Sequence, residues 1–135
     1  MPTFYTLREA NERLPELTTL LLHLQEEGRK LAEIHGEQMA LRIRVRSNGH
    51  NVEERVAALK KGEAPLEEEL RTGIEQLAAW NIQVKDLERG LVDFPALREG
   101  RTVFLCWEMG EPEVGFWHET TTGYANRQPV DDQFA

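Results

Sequence analysis

Residues 85–119 read KDLERGLVDFPALREGRTVFLCWEMGEPEVGFWHE, and this stretch decides the fold of the C-terminal third of the chain. Its apolar residues recur with a period of two, which predicts β-strands. The predicted strands lie around Val84 and at residues 91–94, 102–107 and 113–118. Turn residues at 98–101 and 109–112 separate the last three, so the last two strands should form an antiparallel hairpin.

The chain before this stretch follows a helical pattern. Thr6-Leu7-Arg8-Glu9 matches a capping box, in which Thr6 and Glu9 each bond the backbone amide of the other. The apolar residues that follow are spaced by three and four, which predicts a helix with a coiled-coil type of stripe. They are Leu7, Ala10, Leu14, Leu17, Leu21, Leu24, Gly28 and Leu31. Pro15 predicts a short helix at 7–13 and then a kink or restart.

A second helix is predicted after a short connection. The LRIRVR segment at 41–46 fits either a helix or a strand; helix is favoured because no turn signal precedes Ser47-Asn48-Gly49. Asn51 is the predicted N-cap of the second helix. Its stripe is Val52, Val56, Leu59, Leu66, Leu70, Ile74 and Leu77. Because this spacing is kept across Gly62 and Pro65, we expect one kinked helix or two nearly coaxial ones, ending near residues 80–81.

A connection of a few residues requires the two helices to run antiparallel. The predicted fold class is therefore α+β, a long antiparallel hairpin of kinked helices with a small antiparallel sheet in the C-terminal third. We expect a single domain over residues 1–135. It comprises the helical hairpin at 6–81, the sheet at 82–119 and an irregular tail at 120–135.

Composition excludes several classes of protein. The 135 residues carry a formal charge of −8 with a pI of about 5.0, which argues against non-specific binding to nucleic acid or an anionic membrane. The sequence lacks both an apolar run long enough to cross a membrane and the basic and apolar leader typical of a signal peptide. A single cysteine cannot form an internal disulfide, which fits a reducing compartment. We therefore expect a cytoplasmic protein without a membrane span.

Four stretches carry a family resemblance: FYTLREANERLPEL at 4–17, KDLERGLVDFPALREG at 85–100, VFLCWEMGEPEVGFWHE at 103–119 and GYANRQP at 123–129. With them the chain resembles a bacterial family known only as a domain of unknown function, number 2203. The resemblance implies no activity. It implies that nine residues occupy signature positions: Asp86, Arg89, Asp93, Cys106, Trp107, Glu111, Trp117, His118 and Arg127.

His118 is the strongest single candidate for chemistry, since it closes a predicted strand between Trp117 and Glu119. Imidazole and carboxylates suit zinc, iron or manganese. Asp93, Glu111 and His118 could form a facial set of ligands for such a divalent metal if the strands bring them together. The alternative is that His118 hydrogen-bonds a neighbouring acid at the end of its strand. The sequence has no phosphate-binding glycine loop, paired-cysteine zinc site or His-Glu-x-x-His motif.

The other candidates also have two interpretations. Asp93 lies between Val92 and Phe94, so it should face solvent or a partner; if it is buried, Arg89 or Arg127 should pair with it. Cys106 is expected to be a small buried hydrophobe, and the alternative is a nucleophile with His118 as its base. The aromatic residues Trp107, Phe116 and Trp117 could stack a planar ligand, but core packing is favoured.

Two hypotheses of function follow. The first is a non-enzymatic binding or scaffold protein that forms a homodimer, because both apolar stripes are too long for one hairpin to cover. The second is a metal-binding protein or metal-dependent enzyme that uses Asp93, Glu111 and His118.

Overall fold

The computed structural model describes residues 4–44 and 50–134, without the side chains of residues 44, 50 and 51. The fold is α+β, with two long helices followed by a five-stranded antiparallel sheet. Helix α1 spans Leu7–Arg44 and helix α2 spans His50–Ala79. The strands are β1 (Gln83–Asp86), β2 (Leu91–Arg98), β3 (Arg101–Glu108), β4 (Phe116–Glu119) and β5 (Gln128–Pro129), paired in the order of the chain.

The start of α1 confirms the predicted capping box. The Thr6 amide donates to Glu9 Oε1 at 2.9 Å, and the Glu9 amide donates to Thr6 Oγ1 at 3.1 Å. The short helix at 7–13 with a restart at Pro15 is wrong, because α1 is continuous through this residue, whereas a kink there stays a prediction. Helix α2 is continuous through Pro65, which agrees with the expectation of one helix. Each proline removes one backbone hydrogen bond, but the apolar stripes continue on both sides and their burial keeps the helix intact.

The predictions about where the helices begin, end and bend have different outcomes. Helix α2 begins at His50, so Asn51 lies inside the helix and is not its N-cap. Residues 41–44 are helical as expected, whereas Val45, Arg46 and the predicted stop at 47–49 lie outside the described residues. A kink at Gly62–Pro65 stays a prediction. Neither described helix combines the length and apolarity needed to cross a membrane.

The chain divides into two compact units, and each helix contributes to both. The helical unit comprises Leu22–Ile74, and the sheet unit comprises Met1–Leu21 with Glu75–Ala135. The expectation of a single domain stays a prediction.

The helical unit consists of the antiparallel helices that the sequence predicted. His23 Nε2 lies 2.8 Å from Glu69 Oε2, and Arg55 donates to Glu37 at 2.6 Å, so residue numbers rise in opposite directions. Leu24 is fully buried between the helices. A Cβ at Gly73 would overlap the Leu24 side chain, which explains a glycine at this otherwise unfavourable helical position.

The sheet unit has its core on one face of the sheet. Val92, Phe94, Val103 and Leu105 are fully buried there, as are Leu17 and Leu21 of α1. The Tyr5 ring packs edge-on against Phe94 at 5.1 Å, and the Tyr5 amide donates to the Pro95 carbonyl at 2.7 Å. Alternation along β2 and β3 therefore leaves Asp93 and Cys106 on the opposite face.

Strand β2 is longer than the predicted 91–94, because it continues through Pro95. Pairing with β1 ends at Asp93, so the proline lies where β2 has a ladder only with β3. The Pro95 carbonyl points away from β3 and accepts from Tyr5, and the proline nitrogen faces the same side. The missing N–H therefore costs no ladder bond.

The prediction of an irregular tail is wrong for part of residues 120–135. A 3₁₀ turn occupies Tyr124–Asn126, and β5 pairs with β4 through Phe116↔Pro129 and Trp117↔Gln128. Phe134 is buried beside Trp117. The two-residue strand is too short to give a periodic signal, so the sequence alone did not indicate it.

Candidate metal centre

The register of the sheet places three polar side chains together on the face opposite the core. Asp93 on β2 is directly across from Cys106 on β3, and His118 on β4 is directly across from Phe104 on β3. Directly opposite residues share a face, and so do residues two apart along one strand. Asp93, Cys106 and His118 therefore converge, although each comes from a different strand.

All three side chains are buried. Asp93 is 2% exposed, Cys106 1% and His118 3%. The potential ligand atoms of the three all lie within 4.8 Å of one another. We refer to Asp93, Cys106 and His118 as the sheet cluster.

The hydrogen bonds of His118 determine which of its ring nitrogens can bind a cation. Its Nδ1 lies 2.8 Å from the carbonyl oxygen of Glu119, and its Nε2 lies 3.1 and 3.0 Å from the two carboxylate oxygens of Asp93. A carbonyl oxygen only accepts, so Nδ1 must carry a hydrogen and donate it. Nε2 of a neutral ring would then direct a lone pair at two acceptor oxygens. A proton or a metal cation must lie between these atoms.

This arrangement corrects two expectations for Asp93. The carboxylate does not face solvent, and its partner is His118 rather than Arg89 or Arg127. Both faces of β2 are buried here, and Cys106 and His118 lie beside Asp93 on the second face. The alternative interpretation, in which His118 hydrogen-bonds an acid, agrees with the structure, and the acid is the buried Asp93 of β2, which is remote in sequence.

Burial raises the pKa of the Cys106 thiol to about 11, and the nearby Asp93 charge acts in the same direction. The thiol is therefore protonated at neutral pH, which argues against the free thiolate nucleophile considered as an alternative. A metal cation reverses this preference, because a coordinating thiol loses its proton.

Glu111 does not join the sheet cluster, although it belonged to the predicted facial set. Its carboxylate accepts two hydrogen bonds from Arg127, at 3.1 and 2.7 Å, and one from the Glu108 amide at 2.7 Å. The Arg127 guanidinium also lies 4.0 Å from the Phe116 ring and 4.2 Å from the Tyr124 ring. The structure thus brings together two residues of the predicted set and adds Cys106.

The remaining signature residues have structural contacts. The Arg89 side chain donates to Glu108 at 2.8 Å and lies over the Tyr124 ring, while its amide donates to Asp86 at 3.2 Å. Trp107 and Trp117 are buried, as the core interpretation predicted, whereas Phe116 is only half-buried. Trp107 Nε1 donates to the Glu111 carbonyl at 3.1 Å. Arg98 lies over the Trp117 ring at 4.5 Å.

A second group of potential ligands lies within the helical unit: His35, Glu63 and Glu67. Its residues are exposed or half-buried, and the Glu63 carboxylate also accepts a hydrogen bond from Gln38. Charged side chains on neighbouring helices commonly meet in this way without a metal. The sheet cluster is the stronger candidate because its donors are desolvated and already oriented.

A cavity of about 260 Å³ adjoins the sheet cluster. The cluster forms part of its lining, together with Lys85, Phe104 and Tyr124 among others. Sequence reasoning did not identify Lys85 or Tyr124. The segment after β4 contributes to the wall, and its sequence has no periodicity that would place it there.

A family model described as "Uncharacterized conserved protein (DUF2203)" matches residues 3–130, so the chain belongs to this family. Neither the curated proteins nor the solved structures contain a match to the chain.

Proposed function

We propose that this member of the DUF2203 family is a metal-binding protein that holds one divalent cation through Asp93, Cys106 and His118. The observation that carries the proposal is the His118 ring, whose Nδ1 donates to a backbone carbonyl while Nε2 faces both oxygens of a buried carboxylate. Histidine ligands in metalloproteins are oriented in the same way, with the second nitrogen donating to a carbonyl or carboxylate.

The donor set favours zinc over magnesium or calcium. A thiolate, an imidazole and a carboxylate are all common zinc ligands, whereas magnesium and calcium prefer oxygen alone. A carboxylate and a thiolate together also neutralise a divalent charge, which limits the cost of burying it. Three protein ligands leave a fourth position for water or another molecule, as in catalytic rather than structural zinc sites.

Cobalt(II) loading tests this proposal in protein purified without a histidine tag and stripped with a chelator. We expect one ion per chain and a near-ultraviolet thiolate-to-cobalt absorption band. Cys106→Ser should abolish the band. It should also weaken cobalt binding by more than roughly 10–100-fold, which is the usual effect of removing a residue that only hydrogen-bonds a metal ligand.

Glu111→Gln is the matched control for the cobalt experiment. Its side chain reaches the sheet cluster only through Arg127, which also hydrogen-bonds Cys106. Glutamine keeps an acceptor for Arg127, so this variant should keep the band and the stoichiometry. Loss of cobalt in Glu111→Gln and retention in Cys106→Ser would instead support the set of Asp93, Glu111 and His118. Absence of a bound ion in the folded wild type would refute metal binding.

Exposed apolar side chains in the helical unit favour a second function, self-association as a scaffold. Leu22, Met39, Ile43, Val56 and Ile74 are all exposed, with Ile43 72% accessible. The spacing between Val56 and Ile74 corresponds to a whole number of helical turns, so they lie on the same side of α2. Such exposed apolar strips mark surfaces that associate.

We expect a homodimer formed through these helices. Light scattering at tens of micromolar should return twice the 15.6 kDa mass of the chain. Replacing Val56 and Ile74 with Asn should shift the protein to monomer, because the polar amides remove apolar contact area. Lys61→Asn, at an exposed position about 140° around the same helix from Val56, should leave the mass unchanged. A wild-type mass of one chain would exclude the dimer at that concentration.

A further inference from the structure

The cavity beside the sheet cluster has a wall of mixed chemistry. Its lining includes the potential ligand residues Asp93, Cys106 and His118, the apolar residues Leu91 and Phe104, and the cationic residue Lys85. Its volume of about 260 Å³ lies below the roughly 300–1,000 Å³ of sites for drug-sized ligands. An occupant therefore has only a few non-hydrogen atoms.

We propose that this cavity binds a small organic carboxylate, whose anionic group ligates the ion of the sheet cluster and pairs with Lys85. The inference rests on the proposed metal function, because it uses the coordination position that three protein ligands leave open. All three residues of the sheet cluster line the cavity, so a molecule within it lies beside that position.

Lys85 differs from the arginines of the same unit. Arg89, Arg98, Arg101 and Arg127 each pair with a carboxylate at 2.7–2.8 Å. Over the part of the chain that the structure describes, Lys85 forms no ion pair, and its Nζ lies 5.7 Å from the centre of the Phe104 ring at the cavity wall. Its three donors are therefore available to an anion.

Charge balance favours an anionic occupant. A divalent ion neutralises the Asp93 carboxylate and the Cys106 thiolate, and Lys85 then leaves one uncompensated positive charge at the cavity. The Tyr124 hydroxyl does not supply a free donor, since it donates to Glu108 at 3.0 Å. A carboxylate satisfies both the ion and Lys85. The apolar surfaces of Leu91 and Phe104 accommodate a short carbon chain, which inorganic anions lack.

The experiment titrates the cobalt-loaded full-length protein with propionate and follows the visible bands of the ion. We expect a saturable change in these bands, because a carboxylate replaces water in the cobalt coordination sphere. The isosteric neutral propionamide should produce none. Sulfate tests inorganic anions, and its binding should be at least about tenfold weaker, since it cannot use the apolar wall.

Lys85→Gln is the decisive variant, since Lys85 is exposed and lies outside the donor set. It should bind cobalt as the wild type does and bind propionate about tenfold more weakly, the effect of losing one charged hydrogen bond of roughly 1.5 kcal/mol. Lys60→Gln, an exposed lysine in the helical unit, should match the wild type in both.

The outcomes separate the two proposals. Cobalt binding without any response to propionate, or an equal response in Lys85→Gln, would overturn the carboxylate site and leave the metal function standing. Binding of sulfate as tightly as propionate would overturn the preference for an organic anion. Failure of the wild type to bind cobalt would overturn both proposals.

Discussion

Saturation with zinc should raise the free energy of unfolding of the wild-type protein by about 4 kcal/mol when free zinc exceeds its dissociation constant a thousandfold. Asp93→Asn should lose most of this gain, since an amide is a poor ligand and leaves the ion without a buried negative charge. Denaturant unfolding with and without zinc measures both. Asp132→Asn, an exposed acid in the same unit, is the control and should gain as much as the wild type. Equal gains in Asp93→Asn would contradict the metal centre.

The zinc-dependent stabilisation should also increase with pH. Cys106 must lose its proton to bind the ion, and burial raises the pKa of its thiol to about 11. At pH values below this pKa, each rise of one pH unit strengthens zinc binding tenfold. At fixed free zinc, this adds about 1.4 kcal/mol to the stabilisation. The stabilisation is therefore smaller at pH 6.5 than at pH 7.5. Cys106→Ser should show a weaker dependence on pH, because serine does not ionise in this range.

The pairing of Asp93 with Cys106 follows from the sequence once the two central residues of the turn between β2 and β3 are known. Glu99 and Gly100 both have positive φ, 51° and 80°, which defines a two-residue hairpin of the kind whose twist matches the strands. Such a turn fixes the register from Arg98↔Arg101 along β2 and β3, and counting five residues in each direction places Asp93 opposite Cys106. The turn residues at 98–101 predict the hairpin, but the register follows only once the two central residues of the turn are known.

The position of His118 could not be deduced in this way. Residues 109–115 separate β3 from β4, and a connection of this length does not specify the register of the hairpin. The burial of Asp93 also depends on covering residues that are remote in sequence. The alternation along β2 correctly predicted that Asp93 lies on the other face of the sheet from Val92 and Phe94. The alternation did not show whether that face is exposed to solvent. The segment after β4, which has no periodic pattern, lines the cavity at the same face.

The α+β class and the antiparallel helices were accessible from the sequence because they depend on local signals. The capping box at Thr6 and the stripes spaced by three and four are properties of neighbouring residues. Pro15 indicated a possible restart that does not occur, and α2 is continuous through Pro65 as the one-helix alternative expected, since the loss of one hydrogen bond is smaller than the burial retained by the continuous stripe. Arg127 was expected near Asp93 but pairs with Glu111, a choice between two acids that only the fold determines.

Phe94→Ala should reduce the free energy of unfolding by about 3–5 kcal/mol, the usual cost of truncating a buried phenylalanine. Phe94 is fully buried on the core face of β2 and packs edge-on against Tyr5. Its removal leaves a cavity that the neighbouring strands cannot fill without moving, since Leu105 is held opposite it in the ladder. A loss of this size is a large fraction of the roughly 5–15 kcal/mol that stabilises an ordinary domain.

Phe104→Ala provides a control of identical chemistry on the other face of the sheet. Phe104 is only half-buried and lies beside the cavity, so its truncation opens less new void and should cost clearly less than Phe94→Ala. Urea unfolding followed by tryptophan fluorescence measures both, since Trp80, Trp107 and Trp117 all belong to the sheet unit. The comparison tests which face carries the core. If Phe104→Ala cost as much as Phe94→Ala, the face that holds Asp93, Cys106 and His118 would be packed as tightly as the core, and a ligand could not enter beside them.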